Sequence, residues 1–206
     1  MHRRYRIGGS LQATVKYHYV DRRFTYIIVL IATLSGELSA VDPVDGRTVW
    51  KIELGHPVFG TPLYSRNSSI LVPCVNNTLY SISWTGTILW TVTTGGPIFS
   101  SPIQVQEKIL FGCHDGRVYC VAEGGVVVWT TEVGGGVAGA LDWNKRGEIV
   151  CCSVSGTVNL LTMDGARIAS KELDGEIFSS PLMVDNRVVV GSRDNKLYCI
   201  MLQHAT

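Results

Sequence analysis

The hydrophobic positions of this chain fall in short runs closed off by glycine, asparagine or aspartate. Lys108–Cys113 (KILFGC), Arg117–Ala122 (RVYCVA) and Val126–Glu132 (VVVWTTE) follow one another with only turn residues between them. Apolar runs of this length between turn signals predict strands, not helices. The run Phe24–Leu34 (FTYIIVLIATL) follows Asp21-Arg-Arg23 and has the length of a signal-peptide core. A bilayer span needs about 18–20 apolar residues. The run also falls in register with later strands, so a buried strand is the expectation.

The runs repeat. PIFSSP at Pro97–Pro102 returns as EIFSSP at Glu176–Pro181. Trp50, Trp90 and Trp129 recur at a regular interval of about 40 residues, the length of one structural repeat. Ala169 takes the same place in the unit that follows. Each follows a glycine by four positions: Gly46, Gly86, Gly125 and Gly165. Twelve positions past the anchor stand Pro62, Pro102, Leu141 and Pro181. A second turn recurs as Ser35-Gly36, Asn76-Asn77, Asp115-Gly116, Ser155-Gly156 and Asp194-Asn195. Such pairs supply the positive φ that a two-residue hairpin requires. In the unit that opens at PIFSSP the expected strands are Ile98–Gln104, Lys108–Cys113, Arg117–Ala122 and Val126–Glu132.

Four antiparallel strands in each unit of about 40 residues is the arithmetic of a propeller blade. One such sheet cannot hide both faces alone, so blades stack and bury apolar strands between them. The predicted fold is an all-β propeller in one partial domain spanning 1–206, with repeats near 10–57, 58–96, 97–135, 136–175 and 176–202. Gly8-Gly9 aligns with Gly95-Gly96, which puts His2–Ile7 where a fourth strand ends. The count is four full blades with partial blades at both ends. An arc of a larger ring is favoured over closure of the last blade by the N-terminal strand.

Composition narrows the function. A net charge of +1 over 206 residues offers no basic field for nucleic acid or anionic lipid. The balance of 46% hydrophobic to 17% charged residues, with 22 glycines, suits strands and tight turns. Of the six cysteines, Cys74 aligns with Cys113 and Cys120 with Cys199, which reads as buried strand positions inherited by repetition.

With these residues in place a resemblance becomes visible. Ala40-Val-Asp42-Pro-Val-Asp45-Gly46-Arg-Thr-Val-Trp50 resembles the tryptophan-docking repeat of quinoprotein (PQQ-like) propellers, A-x-D-x-x-x-G-x-x-x-W. More closely, ATLSGELSAVDP, GPIFSSP, ILFGCHDGRVYC, GEIFSSP and VVVGSRDNKLYC resemble the C-terminal propeller of the β-alanine-activating enzyme family, relatives of the acyl-CoA synthetases. The resemblance runs from about Gly8 to Leu202. In that family an adenylate-forming domain activates an amino acid with ATP and a phosphopantetheine carrier domain receives it. This chain shows neither a Ser/Thr/Gly-rich AMP-binding loop nor a carrier serine segment. The resemblance therefore implies a propeller fragment or truncated isoform without the activating chemistry.

Three candidate chemistries stand beside the repeat. Gly134-Gly-Gly136-Val-Ala-Gly139 satisfies G-x-G-x-x-G, but the dinucleotide mechanism needs it to open a helix, and here it joins two blades. Cys151-Cys152 is an adjacent pair of the kind quinoprotein dehydrogenases place against their cofactor, yet it aligns with Phe111-Gly112 inside a predicted strand. His114-Asp115 sits at a hairpin tip, where acidic residues belong on conformational grounds. The expectation is no catalytic, cofactor-binding or metal residue and no cofactor; the anchors are Trp50, Trp90, Trp129, Gly46, Gly86, Gly125, Gly165, Pro62, Pro102 and Pro181. The expected function is a non-catalytic binding or scaffolding module in the cytoplasm. Its partners would be protein: sibling adenylation and carrier domains or an acceptor, with self-association through open propeller ends. The alternative is a PQQ-dependent oxidoreductase-type propeller.

Overall fold

The computed structural model describes residues 11–21 and 24–202, with side chains from Ile28 onward. Strands account for all the regular structure of these residues, and they pair in chain order into five antiparallel sheets. The first sheet holds β1 (Leu11–Asp21), β2 (Phe24–Thr33), β3 (Glu37–Val41) and β4 (Thr48–Glu53). The second holds β5 (Leu63–Tyr64), β6 (Ser69–Cys74), β7 (Thr78–Ser83) and β8 (Ile88–Thr93). The third holds β9 (Ile103–Val105), β10 (Lys108–Gly112), β11 (Arg117–Ala122) and β12 (Val126–Glu132). The fourth holds β13 (Asp142–Trp143), β14 (Glu148–Cys152), β15 (Thr157–Thr162) and β16 (Arg167–Glu172). The fifth has three strands, β17 (Leu182–Val184), β18 (Arg187–Gly191) and β19 (Leu197–Met201). This is a β-propeller. The alignment of His2–Ile7 and Gly8-Gly9 to blade positions lies outside the described residues.

The apolar run at Phe24 is a strand: β2 pairs with β1 on one side and β3 on the other. Among the described residues no helix is long and apolar enough to cross a membrane.

The structure departs from the sequence reading in two places. The turns between second and third strands are three-residue loops with one left-handed residue, not two-residue hairpins. Cys113 N–H donates to the Arg117 carbonyl (2.9 Å) and Gly116 N–H to the Cys113 carbonyl (3.3 Å). Only the last loop residue has positive φ: Gly36, Asn77, Gly116, Gly156 and Asn195, at 88°, 65°, 86°, 96° and 65°. That is a β-turn followed by a bulge residue, a common alternative to the two-residue hairpin. The first strand is also shorter than Ile98–Gln104, because β9 begins only at Ile103. Pro97 and Pro102 have no N–H to give a ladder, and the segment between them bonds to neighbouring blades instead.

Four apolar clusters fill the spaces between successive sheets. Leu30, Ala32 and Leu38 meet Ile70, Val72 and Ile82 between the first two. Leu71 and Leu79 meet Ile109 and Phe111 at the next joint. Leu110, Val118 and Cys120 meet Ile149, Cys151 and Leu161 at the third, and Val150 and Cys152 meet Val188 and Val190 at the fourth. Adjacent residues on a strand point to opposite faces, so each inner sheet feeds two clusters.

The segment leading into each blade is the fastener. Val58, Ile98, Val137 and Ile177 are all fully buried. Ile98 N–H donates to the Cys74 carbonyl of the preceding blade (3.3 Å), and the Pro97 carbonyl accepts from His114 N–H of its own blade (2.9 Å). Val137 repeats the bond to the Cys113 carbonyl at 2.9 Å. Its side chain fills the hollow over Gly112, where an added Cβ would stand 2.1 Å from Val137 Cγ1. Gly112→Ala should therefore cost about 1–3 kcal/mol through overpacking. Urea unfolding should show a lower midpoint with an unchanged slope.

Candidate functional site

Two regions gather the side chains that the sequence singles out: the outer joints made by tryptophan, and the inner rim made by the IFSSP segments. At the outer joints each tryptophan lies against a glycine of the next blade. An added Cβ would stand 3.0 Å from Trp50 Cδ2 at Gly86, 2.9 Å from Trp90 Cε3 at Gly125 and 2.6 Å from Trp129 Cδ2 at Gly165. These glycines have φ of 86°, 84° and 84°, so they serve both the turn and the ring. Trp50 Nε1–H donates to the Trp84 carbonyl at 2.7 Å, and Trp129 Nε1–H to the Met163 carbonyl at 3.1 Å. Each acceptor lies two positions before the docking glycine. Gly46 has the same turn conformation, φ 77°.

Ala169 breaks the series. It is exposed, as is the whole of β16, and a groove of about 710 Å³ opens there, lined by Val150, Leu160, Ala169, Val188 and Ile200.

At the inner rim, Pro62, Pro102 and Pro181 are buried at the entrance to β5, β9 and β17. Just before them the backbones of successive blades nearly touch. An added Cβ would stand 2.7 Å from the Ser100 carbonyl oxygen at Gly60, and 2.5 Å from that of Ser179 at Gly139. Thr61 N–H donates to Ser101 Oγ (2.8 Å) and Ala140 N–H to Ser180 Oγ (2.9 Å), each one repeat ahead. The second serine of each signature is thus bonded to the preceding blade, whereas Ser100 accepts from Gly112 N–H and Ser179 donates to the Gly191 carbonyl within their own blades. The glycine-rich run from Gly134 to Gly139 opens no helix and lies in the same close approach; an added Cβ on Gly136 would meet His114 Nδ1 at 2.5 Å.

The phenylalanines of the signature face the other way from its buried isoleucines. Phe59 and Phe178 are 40% and 46% exposed. Phe59 and Phe99 have ring centroids 5.6 Å apart, and the exposed His114 meets Phe99 edge-on at 5.4 Å. Arg193 stacks its guanidinium 4.7 Å from the Phe178 centroid, and its Nη1 pairs with Glu176 at 3.0 Å. Sequence reasoning missed this aromatic rim. Its signal was present in the alternation of buried Ile98 and Ile177 with Phe99 and Phe178.

The acidic turn residues are committed to structural bonds. Asp115 Oδ2 accepts from Tyr119 Oη (2.5 Å) and Gly95 N–H (3.1 Å). Asp194 Oδ2 accepts from Tyr198 Oη (2.5 Å), and the Tyr198 bond, ahead of Lys196 and Ser192, brings its carboxyl down to about 2. Among the described residues no group of three or more His, Cys, Asp or Glu converges as metal ligands.

Cys151 and Cys152 sit on β14 and enter different clusters, one against the third sheet and one against the fifth. Strand alternation points the two thiols apart, so they do not present a joint surface to a cofactor. All six cysteines are free, and only Cys199 is exposed. Burial pushes the Cys120 thiol up to about 11 and Cys152 to about 12; Cys151 is raised further, by burial first and by Cys152 second.

Comparison with known proteins agrees with this architecture. The family described as "Beta-alanine-activating enzyme, beta-propeller" matches residues 2–202. The chain belongs to this family. A β-alanine-activating enzyme of Drosophila melanogaster is 31% identical over 205 residues, covering 84% of this chain and 20% of that protein. One from Danio rerio is 30% identical over 118 residues, covering 57% of this chain and 7% of that protein. One from Homo sapiens is 36% identical over 55 residues, covering 26% and 5%. The chain thus spans about a fifth of the Drosophila relative's length, and less of the other two. Among solved structures, the WD40 β-propeller domain of Doa1 superposes with a TM-score of 0.68 at 18% identity, over 84% of this chain and 60% of that one. That likeness concerns the fold alone.

Two outcomes follow from this geometry. Trp129→Ala should lose about 2–4 kcal/mol of stability, somewhat below the ~3–5 kcal/mol of a fully buried ring because Trp129 is half-buried. Trp129→Phe, which keeps a ring but no donor, should lose less; thermal melts of the pair measure the difference. The thiols predict alkaline weakening. A thiol raised in the folded state contributes stability that is complete below its unfolded pKa near 9 and is lost as pH climbs through the folded value. The urea midpoint should fall between pH 9 and 12, and less steeply in Cys152→Ala.

Proposed function

We propose that this chain is a non-catalytic propeller module that binds and positions the parts of an amino-acid-activating, adenylate-forming enzyme. Its family supplies the context. The observation that carries the non-catalytic reading is the use of its reactive side chains in structure. Asp115 and Asp194 brace their turns, Ser101 and Ser180 bond across blades, and Cys151 and Cys152 face different joints. The rim of Phe59, Phe99, His114, Phe178 and Arg193 is the surface offered to a protein partner, since aromatic and arginine side chains dominate binding energy at interfaces. Six free thiols favour a reducing compartment, in keeping with the cytoplasm.

The test uses the Drosophila relative. Deleting its stretch equivalent to residues 2–202 should leave β-alanine-dependent ATP–pyrophosphate exchange intact, and the isolated chain should show no exchange. The isolated chain should bind the remaining portion of that enzyme, with Phe59→Ser/Phe178→Ser weakening the complex about tenfold or more. Exchange by the isolated chain would overturn the non-catalytic reading. No binding to the remaining portion would overturn the scaffolding one.

A further inference from the structure

The fourth blade interrupts the aromatic rim. Ala138 stands where the second, third and fifth blades carry Phe59, Phe99 and Phe178. Val154 stands where the turns of the third and fifth blades carry His114 and Arg193. The backbone does not share the interruption. The residue before each second turn bonds to the lead-in segment of its own blade: His114 N–H to the Pro97 carbonyl (2.9 Å), Val154 N–H to the Gly136 carbonyl (2.7 Å) and Arg193 N–H to the Glu176 carbonyl (2.9 Å). Each acceptor lies two positions before Phe99, Ala138 or Phe178. One backbone frame therefore carries a large pair in the third blade, a small pair in the fourth and a large pair in the fifth.

Successive rim positions lie within reach of each other, as the 5.6 Å between the Phe59 and Phe99 centroids shows. The lead-ins of those two blades approach at Gly60, where an added Cβ would stand 2.7 Å from the Ser100 carbonyl oxygen. The fourth and fifth lead-ins approach as closely, with 2.5 Å from an added Cβ on Gly139 to the Ser179 carbonyl oxygen. A ring at position 138 would thus meet Phe178 as Phe59 meets Phe99. Ala138 leaves that place open. The floor of the resulting cleft is Ala138 and Val154, both half-buried. One wall is Phe99 with His114 edge-on to it at 5.4 Å, and the other is Phe178 beneath the Arg193 guanidinium.

We propose that this cleft receives one aromatic side chain of the protein partner, in the place of the missing phenylalanine. The inference rests on the reading of the rim as a partner surface, and it names the group that surface takes. A ring is the group that fits. The same frame holds one at Phe59, Phe99 and Phe178, and aromatic rings pair at centroid separations of about 4.5–7 Å. The Drosophila relative, of which this chain spans 20%, has the remaining length to supply it.

Methyl NMR of Ala138 and Val154 in the 206-residue chain tests the cleft. N-acetylphenylalanine amide should shift both methyl signals saturably, and N-acetylleucine amide should bind more weakly. Ala138→Phe fills the cleft from within and should abolish the Val154 shifts. The same variant should weaken binding to the remaining portion of the Drosophila relative about tenfold or more, whereas Ala138→Ser, which leaves the cleft open, should bind as the parent does. Ala138→Leu replaces the phenylalanine variant if that protein does not melt cooperatively. Equal binding of the parent and the filled-cleft variant would overturn the proposal and leave the scaffolding reading standing. If the remaining portion binds neither, the scaffolding reading falls and the amide decides the cleft: saturable shifts uphold it for a partner outside that enzyme, and their absence overturns it. Leucine amide binding as tightly as phenylalanine amide would overturn the assignment to an aromatic group.

Discussion

The structure depends on one constraint: a four-stranded sheet with two apolar faces cannot bury either of them alone. Each sheet's burial is therefore a property of a joint, and the joint sets the demands on the sequence. A joint needs a small residue on one side and a knob on the other, as at Gly112 and Val137, because backbones that approach this closely leave room for only one side chain. It also needs the backbone groups of an irregular lead-in segment satisfied across blades. The serines do this at the inner rim, and tryptophan Nε1–H groups add bonds further out. Stability in such an array is a sum of units and neighbour interfaces.

This explains where the chemistry-bearing residue types have gone. Buried thiols recur because a joint position accepts a small apolar side chain, and the resulting desolvation holds them neutral. Asp115 and Asp194 recur because their turns need acceptors for backbone and tyrosine donors. A residue whose place is set by repetition has its role set by the joint. The side chains that the joints leave over, Phe59, His114 and Phe178 among them, stand exposed at the inner rim.

The fold was largely legible because it is written periodically. A tryptophan four positions after a glycine carries little information once, and much more when it returns in register at Trp90 and again at Trp129. The strand order followed from turn residues alone, since every sheet is a meander. The errors were local. Asp-Gly and Asn-Asn pairs mark a positive φ without saying whether one or two residues carry it, and the structure uses only the second. The IFSSP segment looked like a strand from its alternation, but its prolines interrupt the ladder and its bonds run to the preceding blade. The rim of Phe59, Phe99 and Phe178 was invisible for a related reason: alternation shows that Phe99 and Ile98 face opposite ways, not which of the two faces is covered.

The departures from the repeat are as informative as its matches. Where Ala169 replaces tryptophan, the position equivalent to the docking glycines, one repeat after Gly165, is His204. Ring and glycine are lost together, as they should be if each exists for the other. A glycine with positive φ has no reason to be kept once the ring above it is gone, and a ring has nowhere to lie over a bulkier residue. The strand β16 is exposed along its whole length, where β4, β8 and β12 each half-bury their tryptophan. Among the described residues the fourth joint is held at its inner half: Ile177 seated against the fourth sheet, Ala140 N–H on Ser180, and Met183 N–H on Asp142 Oδ2 at 2.6 Å. The two halves of a joint are thus separable. The inner fastener is retained at every one, whereas the tryptophan dock belongs to those whose following blade offers a glycine turn.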